Sequence, residues 1–198
     1  MKAGSKNKEN KKISSLLRLE AENILNELTL IKLLKHYGRA EVVGSVASDL
    51  IVKLDIDIHL LVEDSNILDV VDMVYHELLE LRSVKEVRIT DYRKQGAMKI
   101  GIDVYPGASG DWSIDIWITN RIEETGFALL DRLRRELRPE LREVIMEIKH
   151  VYHDQGKLRD GISTLIYEAV LDAGVRNLDE FHKFLSERKN GRQERIDD

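Results

Sequence analysis

The segment Leu54–Val62, LDIDIHLLV, constrains the fold more than any other stretch of the chain. Asp55, Asp57 and His59 alternate with Ile56, Ile58 and Leu60, and a period of two places the polar set on one side of an extended backbone and the apolar set on the other. A helix would scatter both sets around its circumference. The segment therefore predicts a strand in a half-buried sheet whose open face carries acidic groups. On such a strand the two carboxylates leave the same side with their Cβ atoms roughly 6 to 7 Å apart.

The flanking sequence supplies what such a sheet needs to cover its apolar face. From Ile13 onward Leu16, Leu17, Ile24, Leu25, Leu28, Ile31 and Leu34 recur at helical spacing as far as Tyr37-Gly38, which predicts one long amphipathic helix with Gly38 as its C′ residue. Ala40–Gly44 (AEVVG) reads as a short strand closed by glycine, followed by a brief helical stretch near Ser48–Lys53. Ser65–Leu81 returns to helical periodicity, with Ser65 as N-cap. Val84–Thr90, Met98–Tyr105 and Trp112–Thr119 are three further strands, the last two joined by the turn-rich loop Pro106–Asp111. From Glu123 every element is helical: Phe127–Arg138, a helix with Pro139 at N1 that runs to His153, Asp160–Ala173 and Leu178–Ser186, with Gly156 and Gly174 at the breaks. The expected organisation is a basic leader over residues 1–12, an α+β domain over 13–122, a helical domain over 123–188 and a charged tail over 189–198.

Composition narrows the function classes. The 198 residues include no cysteine, so disulfide staples and thiolate metal sites are excluded. Apolar runs such as Ile58–Val62 are too short to span a bilayer, and the lysine-rich start has no apolar signal segment, so a cytoplasmic protein with no membrane partner is expected. A formal net charge of −5 weighs against gripping long nucleic acid through many phosphates and favours a small-molecule or protein partner.

The chemistry resides in Gly44-Ser45 followed, after a spacer, by Asp55-Ile56-Asp57. Two carboxylates on one strand face can reach the same pair of divalent ions. Ions about 4 Å apart are the recurring device for in-line nucleotidyl transfer, one acidifying the attacking hydroxyl and the other neutralising the leaving pyrophosphate. Hard oxygen ligands suit Mg²⁺ or Mn²⁺. A Gly-Ser turn running into a helix offers backbone N–H groups and a hydroxyl to phosphate oxygens. Either motif alone is common in turns and on solvated strands; the pair at this spacing carries the argument.

Together, Val43-Gly44-Ser45 and Asp55-Ile56-Asp57-Ile58 resemble the DNA polymerase β-like nucleotidyltransferase superfamily, whose third carboxylate comes from a later strand. The resemblance implies a nucleotidyltransferase-type mixed β-sheet flanked by helices and followed by a C-terminal helical bundle. It implies a magnesium-dependent enzyme that moves a nucleoside monophosphate from a nucleoside triphosphate to an acceptor, with Asp55 and Asp57 holding both metals and Ser45 contacting the triphosphate. Asp115, within Ser113-Ile114-Asp115-Ile116-Trp117, is favoured as the third carboxylate over Asp103, because an acid inside so apolar a strand needs a compensating partner or metal.

The likeness extends more faintly to the helical third of archaeal CCA-adding enzymes, poly(A) polymerases and oligoadenylate synthetases. By that likeness Lys149 contacts the β/γ-phosphates, and Ser163 or Tyr167 lines the nucleotide pocket. A snorkelling surface role for Lys149 stands beside that reading. His59 shares the face of the two aspartates and is either near the acceptor or merely packed, and Trp112 and Trp117 are either base-stacking or core residues. Two alternatives to a small-acceptor transferase remain. One is a non-catalytic nucleotide-binding module. The other is an RNA 3′-end nucleotide-adding enzyme, for which Arg88, Arg93, Lys94 and Lys99 would supply part of a basic track.

Overall fold

The computed structural model describes residues 2–63, 66–159 and 161–193, with side chains described for 10–63, 66–159 and 161–188. The chain divides into two compact units, Met1–Arg135 and Glu136–Asp198.

The first unit is built on a five-stranded mixed sheet. Its strands are β1 (Arg39–Val43), β2 (Asp55–Leu61), β3 (Arg88–Tyr92), β4 (Ala97–Gly107) and β5 (Gly110–Thr119), in the order β1-β2-β5-β4-β3. Only β2 and β5 are parallel; every other neighbouring pair is antiparallel. A tight turn cannot join parallel neighbours, so the chain passes through α4 (Ile67–Leu79) and the β3–β4 pair before β5 inserts beside β2.

One face of this sheet is the core. Ile56, Ile58 and Leu60 of β2 and Ile114, Ile116 and Ile118 of β5 are fully buried, packed with Ala21 and Ile24 of α1 (Lys2–Glu27), Leu28 of the turn that follows it, Leu30 and Leu34 of α2 (Leu30–Leu34), and Val70, Val74 and Leu78 of α4. Each of the isoleucine, leucine and valine side chains contributes about 1.5–3 kcal/mol by leaving water. The intervening residues Asp55, Asp57, His59, Asp115 and Trp117 occupy the other face and are only half-buried. The alternation read from LDIDIHLLV is the reason the sheet has a dry side and an acidic side.

Four local expectations are corrected. The helix expected to run to Tyr37 is interrupted, because Thr29 takes the left-handed φ of 46° and divides α1 from α2. Gly38 does not act as a left-handed C′ residue. A Cβ there would lie 2.2 Å from the Leu61 carbonyl oxygen, so glycine is required by close approach to β2. The helical turn expected near Ser48–Lys53 instead begins at the glycine itself, as α3 (Gly44–Ala47). Asp49 then adopts a φ of 56°, and the chain extends so that Leu50, Ile51 and Val52 reach the interior. The cap of α4 is Asn66, whose side chain accepts from the Leu68 N–H at 3.1 Å; Ser65 lies outside the described residues.

The first unit also holds most of α5 (Phe127–Glu136), whose Phe127 and Leu130 pack with Val43 and Leu61. The second unit contains α6 (Pro139–Asp154), α7 (Ile162–Leu171) and α8 (Leu178–Gln193). Pro139 opens α6 as its φ preference predicts, and Gly156 and Gly174 follow α6 and α7 with φ of 64° and 71°. Ile145 and Ile148 of α6, Ile166 and Val170 of α7 and Phe181 of α8 are all fully buried, and the Tyr152 and Phe181 rings meet edge to face at 5.3 Å. Among the described residues no helix is long and apolar enough to cross a membrane.

Candidate active site

Backbone register builds the site. In the parallel pairing of β2 and β5, Asp57 stands opposite Asp115 and Asp55 opposite Ser113. One strand spacing and one two-residue step therefore separate the three carboxylates, a patch about 5 Å by 7 Å. The same register carries His59 to Trp117 at the far end of the polar face.

The turn after β1 closes one side of this patch. Gly44 has a φ of +65°, and a Cβ built on it would lie 2.5 Å from Asp57 Oδ2. Any side chain there would strike the carboxylate, so glycine is needed both for the backbone conformation and for the approach. Ser45 follows, its Oγ shielded from solvent without a hydrogen-bond partner among the described residues. A buried hydroxyl left in that state costs free energy unless a ligand completes it. Ser48 Oγ donates to the Gly44 carbonyl at 2.7 Å and fixes the turn from below.

The outer carboxylates each face a lysine. Lys99 Nζ donates to Asp115 Oδ2 at 3.1 Å, and Lys53 Nζ lies 3.1 Å from Asp55 Oδ2. Neighbouring anions repel and are eased by nearby cations, and among the described residues no three His, Cys, Asp or Glu side chains close into a metal cage. The register gathers the donors, while the rotamers turn two of them to the lysines. As a donor set the three carboxylates, with the orphaned Ser45 hydroxyl beside them, fit a hard divalent cation such as Mg²⁺ or Mn²⁺.

Asp103 lies on the same face but outside the patch. A register shift between Ile102 and Tyr105 interrupts the β4–β5 ladder at its position, and its carboxylate accepts from Arg88 at the sheet edge. Asp103 and Asp115 still flank one point, since a Cβ at Gly101 would lie 3.4 Å from Oδ1 of each.

His59 is a packed residue. Its Nδ1 accepts from the Gly126 N–H at 2.9 Å, just ahead of α5, and its ring lies 6.4 Å from those of Trp117 and Phe127. Burial disfavours the charged imidazolium and lowers its pKa to about 4, so it is a neutral acceptor near neutral pH. Trp112 is fully buried in the core, whereas Trp117 is on the polar face with Tyr92 at 4.9 Å and the Lys99 ammonium 5.5 Å over its ring.

In the second unit Lys149 is held inward at 2% exposure, its ammonium 3.1 Å from the Tyr167 hydroxyl. Ser163 precedes Tyr167 by one turn of α7 and is half-buried, so the three residues named for a nucleotide pocket cluster on facing parts of α6 and α7. Lys53 goes unnamed as a site residue in the sequence reading, and Lys99 is named there only as part of a basic track and not as the partner of Asp115. The alternation Met98-Lys99-Ile100 carried a signal for Lys99, since a polar residue between buried ones must share the face of Asp115.

The chain shares its fold with solved structures of a poly(U) polymerase and an RNA terminal U-transferase. Among particular solved structures, it is similar to the Cid1 poly(U) polymerase bound to Mg 3′-dATP, with a TM-score of 0.54 and 19% identity over 75% of this chain and 47% of that one. It is similar to a cytoplasmic RNA terminal U-transferase, with a TM-score of 0.51 and 20% identity over 75% and 48%. A chain of the GLD-2/RNP-8 complex aligns with a TM-score of 0.55 and 14% identity over 82% and 52%. The chain thus spans about half the length of the solved proteins it matches. No family model matches it, and no curated protein matches it.

Proposed function

We propose that this chain is a nucleotidyltransferase that moves a nucleoside monophosphate from a nucleoside triphosphate to an acceptor and releases pyrophosphate. The observation that carries the reading is the parallel register that sets Asp115 beside Asp57, with Asp55 on the same face and Gly44 against Asp57. Asp55, Asp57 and Asp115 would hold Mg²⁺ or Mn²⁺, which when bound acidifies the attacking hydroxyl and offsets charge on the departing pyrophosphate. Gly44 lets the turn approach the phosphates closely, and the Ser45 hydroxyl gains in them the hydrogen-bond partner it lacks. The His59 imidazole, hydrogen-bonded to Gly126, ties β2 to the start of α5 and keeps the polar face rigid. Lys149, with Tyr167 and Ser163, is the candidate phosphate and nucleotide contact of the helical unit.

A second reading, RNA 3′-end addition, is favoured by the RNA-related names of the matched structures. Three of the four basic residues offered for an RNA track weigh against it, since Arg88 is paired with Asp103, Arg93 with Asp91 and Lys99 with Asp115, while Lys94 is exposed. The third alternative, a binding module without turnover, has in its favour the pairing of Asp55 and Asp115 with lysines. The experiment is incubation with labelled ATP, CTP, GTP and UTP, Mg²⁺ and a cell extract. Label in a small molecule or protein supports the first reading, label on RNA the second, and nucleotide binding without pyrophosphate release excludes both.

A further inference from the structure

Two lysines are interleaved with the three carboxylates, and they are not equivalent. Lys53 is 44% exposed at its side chain, so its contact with Asp55 is screened by water. The Lys99 side chain is 21% exposed and Asp115 30%, and the Lys99 ammonium has two partners at once: Asp115 Oδ2 at 3.1 Å and the Trp117 ring 5.5 Å away. A cation within about 6 Å of an indole centroid is attracted to it without the carboxylate.

We propose that Lys99 is a positioning residue that acts as a tethered competitor for the divalent ion at Asp115, and that Trp117 holds its ammonium when Asp115 is given up. This inference rests on the reading of Asp55, Asp57 and Asp115 as metal ligands. Charge balance sets the competition. Three carboxylates on one patch carry a formal charge of −3, and Lys53 and Lys99 reduce it to −1, so a divalent ion arriving alone meets a nearly neutralised site. The ammonium paired with Asp115 must leave before that carboxylate can bind metal. Its departure is eased because Lys99 slides along the face of Trp117 instead of returning fully to water. A triphosphate supplies anionic oxygens that restore the negative charge, so metal and nucleotide bind the wild-type chain cooperatively.

The test is Mn²⁺ binding to the full chain without nucleotide, read by electron paramagnetic resonance, for wild type, Lys99→Gln, Lys99→Arg, Lys53→Gln and Asp57→Asn, each checked for folding by circular dichroism. Lys99→Gln is expected to tighten Mn²⁺ about three- to tenfold, whereas Lys99→Arg behaves as wild type and the more exposed Lys53→Gln changes affinity less. Triphosphate should then improve Mn²⁺ binding less in Lys99→Gln than in wild type. Unchanged or weaker Mn²⁺ binding in folded Lys99→Gln, with wild-type binding abolished by Asp57→Asn, overturns the proposal and leaves the metal site standing. Wild-type binding indifferent to Asp57→Asn overturns the metal reading and the proposal with it. Should Lys99→Gln fail to fold, Trp117→Leu serves instead: with the alternative resting place removed, Mn²⁺ affinity falls, and an unchanged affinity overturns the proposal.

Discussion

Asp57 and Asp115 face one another across the parallel β2–β5 pair although 58 positions separate them in the chain. Asp57→Asn should lower transfer by roughly three decades or more, because a neutral amide cannot hold a divalent ion as the carboxylate does. Thermal stability should be kept or slightly raised, since one of three mutually repelling charges is gone. Loss of activity accompanied by unfolding would argue that Asp57 is structural.

Ile58, one residue along, provides the contrast. Its side chain is fully buried on the opposite face, and Ile58→Ala should cost about 2–5 kcal/mol of stability through lost burial and the cavity left behind. Urea unfolding measures that loss, and the rate per folded molecule should stay near that of wild type.

Asp115 and Asp103 are separable by substitution. Asp115→Asn should reduce transfer about as severely as Asp57→Asn, whereas Asp103→Asn, which releases Arg88 at an exposed edge, should change it by about tenfold or less. The reverse order in steady-state kinetics would make Asp103 the third ligand.

Gly44→Ala tests the turn. The φ of +65° and the 2.5 Å approach to Asp57 both oppose a Cβ. The substitution should destabilise the chain by about 1–3 kcal/mol and depress activity beyond what the lost stability explains. A variant with wild-type urea midpoint and wild-type rate would show that the turn relaxes freely.

Tyr37 predicts an alkaline limit. Its hydroxyl donates to Glu77, and chiefly through that hydrogen bond, with burial second, its pKa rises from 10.0 to about 12. The fold favours the protonated form, so this stabilisation is complete below pH 10.0 and is lost as pH climbs from there towards about 12. Tyr37→Phe should flatten the fall in urea midpoint between pH 10.0 and about pH 12, and an unchanged slope would remove Tyr37 as its cause.

The local pattern of LDIDIHLLV was enough to place a strand, its buried side and its acidic side, because alternation depends only on neighbouring residues and on the fixed geometry of an extended backbone. Pro139, Gly156 and Gly174 marked helix boundaries for the same reason, their φ preferences being properties of single residues. Only the fold revealed that β5 inserts beside β2 in parallel, which is why Asp115 rather than the sequence-nearer Asp103 stands opposite Asp57. It likewise showed that Gly38 is required by close approach to Leu61, and that Lys53 and Lys99 turn their ammonium groups to the acids. Strand pairing and cross-strand charge contacts join residues far apart in the chain, and their free energy exists only once the sheet has formed.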